Sequence, residues 1–86
     1  MYRVELNQRS QRFFNDAEAS LQRRLDRCWR QLATDPHHHP NIKRLSGTLA
    51  GLFRFRVGDY RVIHRIHEPA QVVVVLEIAN RREAYE

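Results

Sequence analysis

The stretch Phe53-Arg54-Phe55-Arg56-Val57-Gly58-Asp59-Tyr60-Arg61-Val62-Ile63 reads as two strands joined by a tight turn. Strand side chains alternate between faces, so Phe53, Phe55 and Val57 point one way and Arg54 and Arg56 the other. Gly58 and Asp59 supply the turn chemistry of a short hairpin, which brings Arg61 on the returning strand close to that pair. Three fixed positive charges on a rigid platform suggest a phosphate-binding surface. The same alternation also describes an ordinary solvated strand face.

Downstream, Gln71 to Ala79 reads as another strand after a turn at Glu68-Pro69. Its run Val72-Val73-Val74-Val75-Leu76 is apolar at both parities, as expected for a strand covered on both faces or meeting a partner. Upstream, Leu49 to Val57 and Tyr60 to His67 complete a three-stranded meander. At the start, Tyr2 to Leu6 alternates apolar and charged residues and predicts a first strand. Asn7 or Ser10 can cap a short helical turn through Phe14, and Asn15 with Glu18 resembles the capping box of a second helix running to Thr34. In that helix Leu21, Leu25, Cys28, Trp29 and Leu32 follow helical spacing, and Arg23, Arg24, Asp26, Arg27 and Arg30 occupy the remaining surface. Asp35-Pro36 stops it, and His37 to Asn41 forms the longest loop, expected to be exposed and variable.

The order strand, helix, helix, strand, strand, strand predicts an α+β fold: two N-terminal helices packed on a mostly antiparallel four-stranded sheet. After its helical crossover the first strand can join an edge or the centre, and the apolar last strand favours the centre. With 86 residues, the chain is expected to form one domain spanning 1–86. The formal net charge is +5, from 15 Lys and Arg against 10 Asp and Glu, and Lys43 is the sole lysine. Arginine's planar, permanently charged fork suits phosphates and bases, so a polyanionic partner is favoured. The lone Cys28 excludes an intramolecular disulfide and fits a reducing cytoplasm, and nothing in the sequence predicts a membrane span or signal peptide.

Several of these pieces also occur together in a known family. The alternating Tyr2 to Leu6 strand, the long helix ending Leu32-Ala33-Thr34-Asp35-Pro36, and Lys43-Arg44-Leu45-Ser46-Gly47 before the sheet appear in that order. FRFRVGDYRVIHRI then precedes VVVVLEIANRREAYE, with a closing Arg-Arg-Glu-x-Tyr element. In these features the chain resembles, over essentially its whole length, the RelE/ParE superfamily of toxins of bacterial type II toxin–antitoxin systems. The superfamily comprises ribosome-dependent mRNA endonucleases of RelE type and gyrase poisons of ParE type, which share a fold but not catalytic residues. For the RelE type the resemblance implies a site at Arg54, Arg56, Arg61, Arg82 and Tyr85, with Arg81 among the RNA-binding residues. Many relatives carry histidine where this chain has Asn80, and lysine where it has Arg54 or Arg56. The implied partners are a cognate antitoxin and mRNA in the 70S ribosome A site, or, for the ParE type, DNA gyrase.

Cleaving RNA without a metal requires an activated 2′-OH, a phosphate held in line and stabilisation of charge on its oxygens. Arg61 and Arg82 suit the phosphate clamp. A guanidinium is a poor proton acceptor at neutral pH, so Arg54 and Arg56 suit electrostatic and positioning work better than general-base catalysis. Tyr85 can stack on a base or pack against the sheet. His37, His38 and His39 cannot easily converge on one ion, and no pair of metal-ligand spacing accompanies them, so neither a metal nor a cofactor is expected. His64 shares its strand face with Tyr60, Val62 and Ile66 and reads as a packed or hydrogen-bonded core residue. A plain RNA-binding module is a third functional class compatible with the chain.

Overall fold

The computed structural model describes residues 1–80. In chain order it contains β1 (Arg3–Leu6), α1 (Gln8–Asp16), α2 (Ala19–Thr34), β2 (Ile42–Arg44), β3 (Phe53–Val57), β4 (Tyr60–His67) and β5 (Val72–Asn80), with a 3₁₀ turn at Gly47–Leu49. The strands form one sheet in the order β1-β5-β4-β3-β2. β1 runs parallel to β5, and the other neighbours are antiparallel.

The fold is the expected α+β arrangement with three departures. The sheet has five strands, because Ile42–Arg44 pairs with Phe53–Phe55. Three residues straight after a proline loop carry too little alternation to be read as a strand. β3 begins at Phe53 rather than Leu49, since the 3₁₀ turn and Gly51 at φ 95° occupy the preceding residues. β1 does lie beside the apolar β5, but from the sheet's edge, so β5 becomes interior by having β1 on one side and β4 on the other.

Local chemistry explains both helices. Asn7 caps α1: its side-chain oxygen accepts the Ser10 N–H at 2.9 Å, and its Nδ2 donates to the Leu76 carbonyl at 2.9 Å. α2 starts at Ala19 with Glu18 in the cap position, so the Asn15 capping box is not formed. Leu21, Leu25, Cys28 and Leu32, at i, i+4, i+7 and i+11, place one buried stripe on Phe55, Val57, Val62, Val73, Val75 and Ile78. Full burial of side chains such as Leu25 and Leu32 contributes about 2 kcal/mol each. Cys28 lies in this stripe, where burial pushes its thiol well above the ordinary range and leaves it unreactive.

β5 changes parity midway. Ile63 pairs with Glu77 and His64 with Val75, so Leu76 is passed over in the register. Before this break Val73 and Val75 face the helices; after it Ile78 does, opposite Val62.

The histidine loop is more tightly held than expected. The Asp35 carboxylate accepts the His37 N–H at 2.9 Å and the His38 N–H at 3.2 Å, and these bonds hold it below the usual carboxylate range. His37 meets Phe53 edge-on at 6.0 Å, and His39 stacks on Phe55 at 5.0 Å. Among the described residues no group of three or more His, Cys, Asp or Glu is placed to hold a metal ion. No helix of the described residues is long and apolar enough to cross a membrane.

His64 is a core residue, as its position predicts. It is fully buried, stacks on Phe53 at 5.5 Å and places Nε2 3.3 Å from the Pro36 carbonyl. Burial lowers its pKa from 6.5 to about 4, against the opposing pull of that carbonyl. At and above neutral pH the ring is neutral in both states, so its contribution is complete. As pH falls from 6.5 towards 4 the unfolded chain takes up a proton that the fold refuses, and about 3 kcal/mol is lost. Urea unfolding of the wild type between pH 7.5 and 4 will show that decline, and His64→Leu will flatten the corresponding part of the slope.

Candidate functional site

The pairing registers assemble the basic face row by row. Arg56 stands directly opposite Arg61, which stands opposite Ala79 on β5. One row along, Lys43, Arg54, Ile63 and Glu77 align across four strands. Arg54, Arg56 and Arg61 therefore lie together on the sheet face opposite the helices. Lys43, which is not among the site residues expected from sequence, joins them through its pairing with Arg54. Arg65, two residues beyond Ile63 on the same strand, extends the face; its alternation with Arg61 was the available signal.

The platform differs from an open charged face in one respect. Of the three arginines expected from sequence on these strands, Arg56 is exposed, whereas Arg54 is 8% and Arg61 7% exposed. Both buried arginines, and Asn80, are engaged in interactions within the protein. Their position explains part of the burial, since both sit on interior strands with a neighbouring strand on either side. A guanidinium held in such a low-dielectric setting interacts more strongly with an incoming anion than one in water. Glu77 brings a carboxylate to this face, and Arg9 of α1 approaches it at 3.6 Å. Arg81, Arg82 and Tyr85, the remaining sequence-derived site residues, lie outside the described residues.

A groove of about 590 Å³ opens beside α1, where β1 has ended and β5 continues. Phe13, Leu21, Tyr60 and Ile78 form its apolar lining, with Phe13 and Tyr60 edge to face at 5.9 Å. Arg9, Arg12, Asp16, Glu18 and Glu77 supply its charged residues among the described residues.

The hairpin that carries the basic pair is fixed by its turn. Gly58 has φ 58°, the left-handed value required of the first central residue of a type II′ turn. A Cβ built there would meet Nη1 of Arg24 at 2.5 Å, so α2 and the turn approach closely because this residue is glycine. Gly58→Ala will lower stability by about 1–2 kcal/mol in urea titration, the usual cost of a left-handed non-glycine residue, and will displace the Arg24 side chain.

Comparison with known proteins places this architecture. Residues 4–85 match the family model of the ParE toxin of type II toxin–antitoxin system, parDE. The fold aligns with the archaeal RelE–RelB complex from Pyrococcus horikoshii at 27% identity and a TM-score of 0.82, covering 96% of this chain and 98% of that one. It aligns with the RelBE2 toxin–antitoxin complex from Mycobacterium tuberculosis at 26% identity and a TM-score of 0.80, covering 93% and 98%. The YoeB/ParE toxin from Agrobacterium tumefaciens shares the fold at 17% identity, with a TM-score of 0.79 and coverage of 91% and 96%. Among curated proteins none matches the sequence.

Proposed function

We propose, from the premise that this chain belongs to the ParE toxin family of type II toxin–antitoxin systems, that it acts as a ribosome-dependent mRNA endonuclease. The observation that carries the reading is the cross-strand pair Arg56–Arg61 with Arg54 beside it on the same face. Guanidiniums directly opposite one another on neighbouring strands offer several N–H donors to one anion. The RelE toxins among the solved structures, at 26% and 27% identity, support the same branch.

In this reading the 2′-OH attacks the adjacent phosphorus: the 2′-oxygen–phosphorus bond forms as the hydroxyl proton passes to solvent, and the bond to the 5′-oxygen breaks as that oxygen takes up a proton from solvent, leaving a 2′,3′-cyclic phosphate and a 5′-hydroxyl. Arg61, together with Arg82, grips the non-bridging oxygens and stabilises the charge that builds on them. Arg54 and Arg56 orient the strand and contribute electrostatically, and Tyr85 stacks on a flanking base. The ribosome supplies the in-line geometry of the nucleophile. Between rounds of activity a cognate antitoxin silences the toxin. An acidic segment matches the basic face, and an amphipathic helix fits the groove lined by Phe13, Leu21, Tyr60 and Ile78.

A gyrase-directed activity is the second reading. The matching family model, that of the ParE toxin, favours it, as does the burial of two of the three arginines, which leaves less open charge for a nucleic acid. Primer extension on a translated message in a purified translation system separates the two. The endonuclease reading expects new 5′ ends that vanish when ribosomes are omitted, and about a hundredfold slower cleavage by Arg61→Ala that still binds antitoxin. Unbroken messages together with inhibited supercoiling by purified gyrase would instead establish the second reading.

A further inference from the structure

A second basic surface lies on the helix side of the sheet, where α2 passes over the end of β3. A cleft of about 320 Å³ opens there, lined among others by Arg24, Arg27 and Gln31 of α2, Arg56 of β3, and His39 and Asn41 of the preceding loop. Among the described residues its lining includes no carboxylate. Among the described residues, Arg24, Arg27 and Arg56 enter no ion pair. Arg27 and Gln31 also line an adjoining depression of about 270 Å³ that reaches Arg30. Guanidiniums at positions 24, 27 and 30 thus follow one another along about 9 Å of helix. Asp26, the acidic residue of α2, lies outside both linings.

Three features favour a nucleic acid over an acidic peptide. Arg56 belongs to both surfaces, lining the cleft and standing opposite Arg61, so a chain held at the sheet face continues round this corner. His39, half-buried and stacked on Phe55 at 24°, brings an aromatic ring to the cleft wall for a nucleotide base. Arg24 is preset over the hairpin turn, in space that only glycine at position 58 leaves open. Arginine's fork also fits phosphate oxygens in two-point contact.

We infer that this cleft binds the phosphodiester backbone of single-stranded RNA, seating nucleotides that flank the linkage held at Arg56 and Arg61. The inference rests on reading the sheet face as the RNA site, and its test is separate from cleavage. Fluorescence anisotropy with labelled oligouridylate across a salt series compares Arg24→Gln/Arg27→Gln with Arg3→Gln/Arg44→Gln, which removes the same charge at the sheet edges. All four arginines are exposed, and melting temperatures verify the fold of each variant.

The cleft variant will bind about tenfold more weakly, with a salt slope shallower by about 1.4, the value for two lost phosphate contacts. The edge variant will bind as the wild type does. Equal losses in both variants, or unchanged binding in the cleft variant, overturn the inference. So does displacement by oligoglutamate at lower concentration than by unlabelled oligouridylate, which assigns the cleft to an acidic peptide. If Arg61→Ala cleaves normally while the cleft variant still loses RNA, the cleft stands and the catalytic assignment falls.

Discussion

The register break at Leu76 is the constraint on which both faces of the sheet depend. Along an unbroken β5, Glu77 would follow Val73 and Val75 into the helix-covered core, and Ile78 would point outward. Burying that carboxylate without partners would cost several kcal/mol, more than a fold of this size spares. Passing over one residue instead turns Ile78 inward against Val62 and sets Glu77 and Ala79 on the face that holds Arg54 and Arg61. Asn7 secures the break from outside, because the amide that reaches the Leu76 carbonyl belongs to the residue that caps α1. One side chain therefore sets the start of a helix and the parity of the interior strand together.

The two sheet faces then follow opposite logics. The helix side is ordinary packing, a leucine stripe on valines and isoleucines, and tolerates its one buried histidine by keeping the ring neutral. The other side gathers Lys43, Arg54, Arg56, Arg61 and Arg65 on neighbouring strands. Stability alone does not call for arginines directly opposite one another, and departures of this kind concentrate where a protein meets its ligand. Arg56, at the corner between the two sides, makes the basic face and the cleft beneath α2 continuous.

Much of this was legible in the sequence because period and turn chemistry are local. Alternation at Phe53–Val57 and Tyr60–His67, with Gly58-Asp59 between them, defines the hairpin, and the spacing of Leu21, Leu25, Cys28 and Leu32 defines the buried side of α2. His64 was placed correctly in the core by the same parity argument. What escaped depends on tertiary partners. The three residues of β2 become a strand only because β3 offers an edge, and Glu18 rather than Asn15 precedes α2 because of how the chain turns after Ala17. Alternation assigned Arg54 and Arg56 to one face but carried no information on how far each would be enclosed. Parity also could not foresee the break at Leu76, since a run of valines and leucine looks the same in either phase.

The sheet ends in two short borders, four residues in β1 and three in β2. Arg3 and Glu5 mark one border, and Lys43 and Arg44 the other, all of them exposed. Abbreviated, charged margins are poor templates for strand addition by another copy. The molecule is thereby guarded against self-templated fibril growth even though an interior strand carries Val72 to Leu76, one of the stickiest sequences a chain can carry.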